Sequence, residues 1–249
     1  MLLTSLEHGV LTLTLNRPEK RNALDTVSIA ALTAALERAE LDAAVRVVAV
    51  RGAGKDFCAG ADLEELLASA DRSAEENQET AARLGAVFSA IRRLSRPVVA
   101  VVHGRALAGG AGLATACDLV LAGESAQFGY PEIQRGFVPA MVLTILRRLA
   151  GEKRAFDLVA TGRVLSAAEA LDAGLISRVV PDAELDASAA SLLSGLAGSS
   201  ASALALVKRL FYELDDRSFD EGIALGARVN AVARAHPDFR AAIAAFFKR

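Results

Sequence analysis

Apolar and polar positions follow two periods along this chain, and the change of period divides it. Leu11, Leu13 and Leu15 alternate with Thr12 and Thr14, the period of a strand with one buried face. His8-Gly9 supplies a turn before them, so Leu2 to Asn16 is expected to form a hairpin. Between Asp25 and Glu40, Leu32 and Leu36 repeat at helical spacing. Two continuous apolar runs, Val45 to Arg51 and Pro97 to Val102, are rich in β-branched residues and read as buried strands. Both contain the sequence VVAV, at residues 47–50 and 98–101. Each is followed by a glycine (Gly52, Gly104) and then by an Ala-Gly loop, Ala59-Gly60-Ala61 or Ala108-Gly109-Gly110. Two such strand–loop–helix units imply parallel neighbouring strands whose loops emerge at one sheet edge.

The remaining elements follow from local signals. Asp62-Leu63-Glu64-Glu65 opens a helix with acids in its first turn. Ser69 to Thr80 is polar and is expected to be a mobile lid or pocket rim before a helix over Arg83 to Leu94. Leu107 to Ala116 reads as a tight loop leading into a helix, and Leu119 to Ala122 and Ala126 to Gly129 read as short strands. Helices are expected over Val138 to Leu149 and Glu152 to Ala160, and Ser166-x-x-Glu169 is a capping box whose helix Gly174 closes. Leu175 to Val180 is extended and stopped by Pro181, and from there to Arg249 the pattern is almost wholly helical. The expected organisation is an α/β core over residues 1–195 and a helical region over 196–249, whose apolar helices would pack against other subunits.

Composition narrows the class. With 249 residues, 53% of them apolar, the chain can bury a substantial core in one domain. A net charge of −2 gives no electrostatic case for nucleic acid or an anionic membrane surface. No apolar run approaches the roughly 20 residues that span a bilayer. The start, MLLTSLEHG, lacks the basic flank and long apolar stretch of a signal peptide, so a cytoplasmic location is expected. Cys58 and Cys117 are expected to be buried free thiols. The three histidines are scattered and the cysteines far apart, so neither a metal site nor a redox cofactor is expected.

Candidate chemistry lies in the two Ala-Gly loops. Glycines at 109, 110 and 112 allow a ligand close to the backbone, and a helix start offers unpaired N–H groups. Two loops at one sheet edge can aim two N–H donors at one point, the design of an oxyanion hole. The GAGK fragment at 52–55 lacks the phosphate-loop spacing, and the glycines miss the dinucleotide pattern. Arg17, Lys20 and Arg21 form a basic patch that is either solvated or meets a phosphorylated ligand. Glu132, after Pro131, reads by itself as a surface acid or as the first-turn acid of a helix.

Taken in order, Arg17-Pro18-x-Lys20-Arg21-Asn22-Ala23-Leu24, Ala59-Gly60-Ala61-Asp62-Leu63, His103-Gly104-x-Ala106-Leu107-Ala108-Gly109-Gly110, Cys117-Asp118 and Phe128-Gly129-x-Pro131-Glu132 resemble the enoyl-CoA hydratase/isomerase (crotonase) family, nearly end to end. The resemblance implies an α/β spiral of repeated β-β-α units with a C-terminal helical trimerisation region, assembled as a homotrimer or as a hexamer of two trimers. It implies an acyl-coenzyme A substrate whose thioester carbonyl sits between the N–H groups of Ala61 and Gly109. Lys20, Arg21, Ala23, Leu24, Ala59, Asp62 and Leu63 would flank the coenzyme A, with Phe246 and Arg249 reaching that of an adjacent subunit. Gly112, Phe137 and Met141 are expected to shape the acyl pocket, together with Val138 and the 66–88 segment.

One departure bears on the reaction. Hydratases of the family carry two glutamates; the second matches Glu132, and the first falls at Gly112. Adding water across C2=C3 asks for water activation at C3 and proton delivery at C2, which two carboxylates divide. Moving a double bond from C3 to C2 needs one group that takes a proton from C2 and returns it at C4. The leading expectation is therefore a single-base enoyl-CoA isomerase. The alternatives are a hydratase or 3-hydroxyacyl-CoA dehydratase in which a water or another polar group replaces the missing acid, an acyl-CoA decarboxylase or hydrolase, and a non-catalytic acyl-CoA binder.

Overall fold

A computed structural model describes residues 2–247; Arg249, expected above to contact coenzyme A, lies outside the described residues. β1 (Leu2–Glu7) and β2 (Val10–Leu15) form the expected antiparallel hairpin. His8 and Gly9 take φ of 50° and 82°, the left-handed pair that a two-residue hairpin turn requires. Asp25 caps α1 (Thr26–Leu41), and β3 (Val47–Gly52) then lies parallel to β2. After α2 (Leu63–Ala68) and α3 (Ala74–Arg93) come β4 (Val98–Val102), β5 (Arg105–Leu107) and the buried α4 (Gly109–Ala116). β6 (Leu119–Gly123), β7 (Gln127–Gly129), α5 (Ala140–Thr161), β8 (Val164–Ser166), α6 (Ala167–Asp172) and β9 (Arg178–Val180) complete the α/β part. The strands build one sheet in the order β1-β2-β3-β4-β6-β9 and a smaller one in the order β5-β7-β8.

The two VVAV strands are parallel neighbours. Their ladder pairs Val48 with Val98 and Val50 with Ala100, one residue out of step with the sequence repeat. The offset puts Val48, Val50, Val98 and Ala100 on the main core, and Val47, Ala49, Val99 and Val101 on the opposite face. That second face is covered by Leu185, Ala189 and Leu193 of α7 (Leu185–Gly198). Burial on both faces explains why these strands are apolar throughout rather than alternating.

Two expectations change. Ser69 to Thr80 is not a continuous loop: Ser73 and Glu76 form a reciprocal capping box, and Ala74 to Thr80 are the first turns of α3. The pattern hid this because those turns expose polar residues on nearly all sides. The two helices expected between 138 and 160 are both present within α5, separated at Gly151, whose φ of 73° and ψ of 169° are not helical. α7 runs through the expected boundary at 195/196 and belongs with the sheet. Beyond it lie α8 (Ala201–Glu213), α9 (Phe219–Ala235) and α10 (Pro237–Phe246). No single helix among the described residues is long and apolar enough to cross a membrane.

Candidate active site

The site forms where the smaller sheet is extended by two loops. Cys58 bridges Ala106 of β5 in parallel fashion, and Ala61 bridges Leu24 on the other side. Leu24 N–H donates to Gly60 O (2.8 Å) and Asp62 N–H to Leu24 O (3.0 Å). In such a bridge the intervening residue, Ala61, points its own N–H away from Leu24. It points toward the start of α4: a Cβ built on Gly109 would stand 3.8 Å from Ala61 N. Gly109, as the first residue of α4, has no acceptor for its N–H within the helix. The backbone donors expected from the two loops are thus brought side by side.

Close packing fixes them there. A Cβ on Gly110 would stand 2.2 Å from Cys58 O, so only glycine lets α4 lie against that loop. Ala108, just before α4, takes φ 52° and ψ −127°, a conformation L-residues adopt only under constraint. Its N–H donates to Gly129 O at 2.8 Å, which ties the donor loop to β7.

Glu132 is three residues beyond that anchor. Pro131 opens a short 3-10 turn, Pro131–Arg135, which Gly136 closes in the left-handed conformation. Phe137 N–H donates to Glu132 O (3.1 Å), folding the turn so that its first-turn acid faces inward. The side chain is 8% exposed, and Oε2 has no hydrogen-bond partner. Burial raises its pKa above the usual glutamate value, opposed by its own backbone N–H and by the charge of Arg135. A buried carboxylate with a free oxygen costs stability, so functional sites are where such groups accumulate.

At position 112 there is no room for a second carboxylate. A Cβ there would stand 2.6 Å from Val142 Cγ2 and 3.0 Å from Phe88 Cζ. Phe88 and Val142 fill that volume with hydrocarbon. Leu84 Cδ2 lies 3.4 Å from the Cβ position of Gly109, and Met141 Cγ lies 3.5 Å from that of Gly85, so α3 and α5 wall this side. Met141 is half-buried, whereas Phe137 is exposed.

The residues expected around coenzyme A gather about the two loops, with Leu24 and Asp62 buried. Ala59 N–H donates to Arg21 O (3.0 Å), and Lys20 pairs with Glu64 of α2. The Asp62 carboxylate is already engaged: it caps α2 at Glu64 N–H (3.0 Å) and binds Arg17 Nη2 (2.9 Å). Arg17 also donates to Ala23 O (2.7 Å) and pairs with Asp25, so it braces the loops. Asn22 is buried, and its Nδ2 donates to Ala53 O (2.8 Å) and Asp56 O (2.7 Å). Phe246 is exposed at the end of α10, and its one ring contact among the described residues is with Phe247. Both cysteines are buried free thiols, and burial pushes the Cys58 pKa up to about 12.

Two sheets followed by C-terminal helices define an α/β protein of the crotonase type. The family profile described as enoyl-CoA hydratase/isomerase matches residues 5–249, and the chain belongs to that family. It is 40% identical over 248 residues to a Thermus thermophilus protein provisionally named an enoyl-CoA hydratase, covering 99% of this chain and 98% of that one. It is 36% identical over 249 residues to the 2,3-dehydroadipyl-CoA hydratase of Escherichia coli, covering 100% and 96% of the two chains. The crystal structure of an enoyl-CoA hydratase from Mycobacterium smegmatis superposes with a TM-score of 0.95 at 36% identity, over 99% of this chain and 96% of that one.

Proposed function

We propose that this protein is an enoyl-CoA hydratase, equally able to run in reverse as a 3-hydroxyacyl-CoA dehydratase, with Glu132 as its one carboxylate. The observation that carries the reading is the buried, unpaired Glu132 oxygen on a segment hydrogen-bonded to the oxyanion donor loop. Three similar proteins that match almost end to end are named hydratases, which favours water addition over the double-bond shift expected from Gly112 alone.

In the forward direction the oxygen of a water bonds to C3, and the π pair moves through C2 to give an enolate. Its charge falls on the thioester oxygen, where the Ala61 and Gly109 N–H groups would hold it; one such donor is worth about 3 to 4 kcal/mol in comparable sites. Glu132 would take the proton released by the water and deliver it to C2, leaving OH on C3 and H on C2. Lys20, Arg21, Ala23, Leu24, Ala59, Asp62 and Leu63 would flank the coenzyme A, the last three chiefly through their backbone and packing. A homotrimer, or a hexamer of two trimers, would bring Phe246 and Arg249 to a neighbouring coenzyme A.

Isomerisation is the second reading, favoured by one observation: the volume beside Gly112, where the first glutamate of the pair would fall, is closed by Phe88 and Val142. Incubation with trans-2-hexenoyl-CoA and with 3-hexenoyl-CoA, followed by mass analysis of the products, separates the two. A hydratase adds the mass of one water to the 2-enoyl substrate faster than it alters the 3-enoyl one. Conversion of 3-hexenoyl-CoA to a species of unchanged mass, ahead of any water adduct, would overturn the hydratase in favour of the isomerase. Binding of both substrates with no product would mark a binder.

A further inference from the structure

A 3-10 helix turns once every three residues, so side chains at i and i+3 eclipse. In the Pro131–Arg135 turn this spacing sets Glu132 and Arg135 on one face. The positions between them pack against the end of α5. Ile133 Cγ2 and Gln134 Nε2 stand 3.2 and 3.1 Å from the Cβ position of Gly162, and Gln134 Nε2 donates to Gly162 O (3.2 Å). Anchored this way, the turn buries Glu132 and leaves Arg135 exposed. The guanidinium forms no hydrogen bond or ion pair among the described residues. A direct pair would occupy the carboxylate oxygen that must accept a proton. A cation held near but unpaired favours the buried charge and leaves Oε2 free. The neighbouring elements supply no such cation. β7 and α4 carry no ionisable side chain, and the Tyr130 phenol is neutral. On α5, Arg147, Arg148, Arg154 and Asp157 are paired with other groups, and Lys153 lies beyond the break at Gly151. Burial, the largest influence, raises the Glu132 pKa, and the Arg135 charge opposes it.

We infer that Arg135 is a positioning residue that sustains the Glu132 carboxylate as a working base by its charge, along the shared face of the turn and without pairing with it. This rests on Glu132 being the base, as proposed above, and holds for hydration and isomerisation alike. Arg135 exchanges no proton with the substrate; the proton that moves is taken up and returned by Glu132. C2 deprotonation of a saturated acyl-CoA needs Glu132 and the oxyanion donors but no water at C3, so it reads the state of this base directly.

The test follows exchange of the C2 hydrogen of butyryl-CoA with deuterated solvent as a function of pH, in the wild-type protein, Arg135→Gln, Arg135→Lys and Glu132→Gln. In Arg135→Gln the acid-side midpoint should move up by about half to one pH unit, a loss of about 3- to 10-fold in rate on the acid limb; the shift is smaller than for a contact pair because the guanidinium is exposed. Arg135→Lys, which keeps the charge, should restore the wild-type midpoint. Salt at about 1 M, where screening acts within roughly 3 Å, should move the wild-type midpoint toward that of Arg135→Gln and leave the variant's nearly in place. An unmoved midpoint in Arg135→Gln would overturn the inference. So would a lysine variant that behaves as the glutamine one, since the shape of the guanidinium and not its charge would then matter. Exchange that is absent from the wild type, or that keeps its acid limb in Glu132→Gln, would overturn the reading of Glu132 as the base and the inference with it.

Discussion

Glu132 is a carboxyl whose Oε2 finds no hydrogen-bond partner in the surrounding packing. Burial raises its pKa above the ordinary value of 4.5. A carboxyl whose folded pKa is raised contributes stability below its unfolded pKa and loses that contribution as pH rises through the folded value. At neutral pH the ionised group therefore works against folding, and Glu132→Gln should unfold at a higher temperature than wild type while losing about two or more orders of magnitude in turnover. As a base the group must be ionised, so the kcat/KM profile for hydration should fall on its acid side with a midpoint above 4.5. A midpoint at or below the ordinary value, or a destabilised Gln variant, would contradict this account of Glu132. The glutamate's importance was legible only through the motif around it, because Pro-Glu is ordinarily a helix start. Tyr130 was not legible: nothing in Phe-Gly-Tyr-Pro-Glu says that a phenol ends fully buried.

Lys208 and Tyr212 join α8 to the α/β part through Asp118. Lys208 Nζ donates to Ile91 O (2.7 Å) and Arg96 O (2.9 Å) and pairs with Asp118 Oδ2 at 2.7 Å. Asp118 also accepts from Val98 N–H (2.7 Å) and Tyr212 Oη (2.8 Å), and Arg92 lies 4.1 Å over the Tyr212 ring. Burial pushes the Asp118 pKa up and the Lys208 pKa down, each opposed by its partner's charge. Removing one partner leaves the other buried and unpaired, so Lys208→Ala should cost about 3 to 5 kcal/mol in denaturant unfolding. Amide hydrogen exchange should rise first in α8; a loss below about 1 kcal/mol would show that water replaces the ammonium. Cys117-Asp118 was visible as a motif, but its partner sits 90 residues later in an Ala- and Leu-rich helix. Amphipathic spacing places such a helix without saying which of its lysines turns inward.

Across the whole molecule, strands and parallel order were legible because an apolar run and its echo report burial on two faces. The extent of α3 was not, because its first turns touch little. The C-terminal helices were read as apolar helices that pack against other subunits, and in the single chain Val207, Phe211, Phe219, Ile223 and Phe246 are all exposed. A surface of that kind matches the proposed assembly with further copies of this chain. Phe219→Asp combined with Ile223→Asp should lower the sedimenting mass toward that of the 25.9 kDa chain and weaken coenzyme A binding. Unchanged sedimentation would place the contact elsewhere.

The hydrogen bond from Ala108 to Gly129 makes one rigid mount of the oxyanion donor loop and the strand that leads to Glu132. In the proposed reading everything on that mount that would hold the thioester is main chain, whereas position 112 differs only by its side chain, here the lack of one. Inheritance can therefore change the reaction at this position without disturbing the grip on the acyl group. A chain of this kind is a fixed vice with exchangeable tools, and its Gly112 is one such fitting.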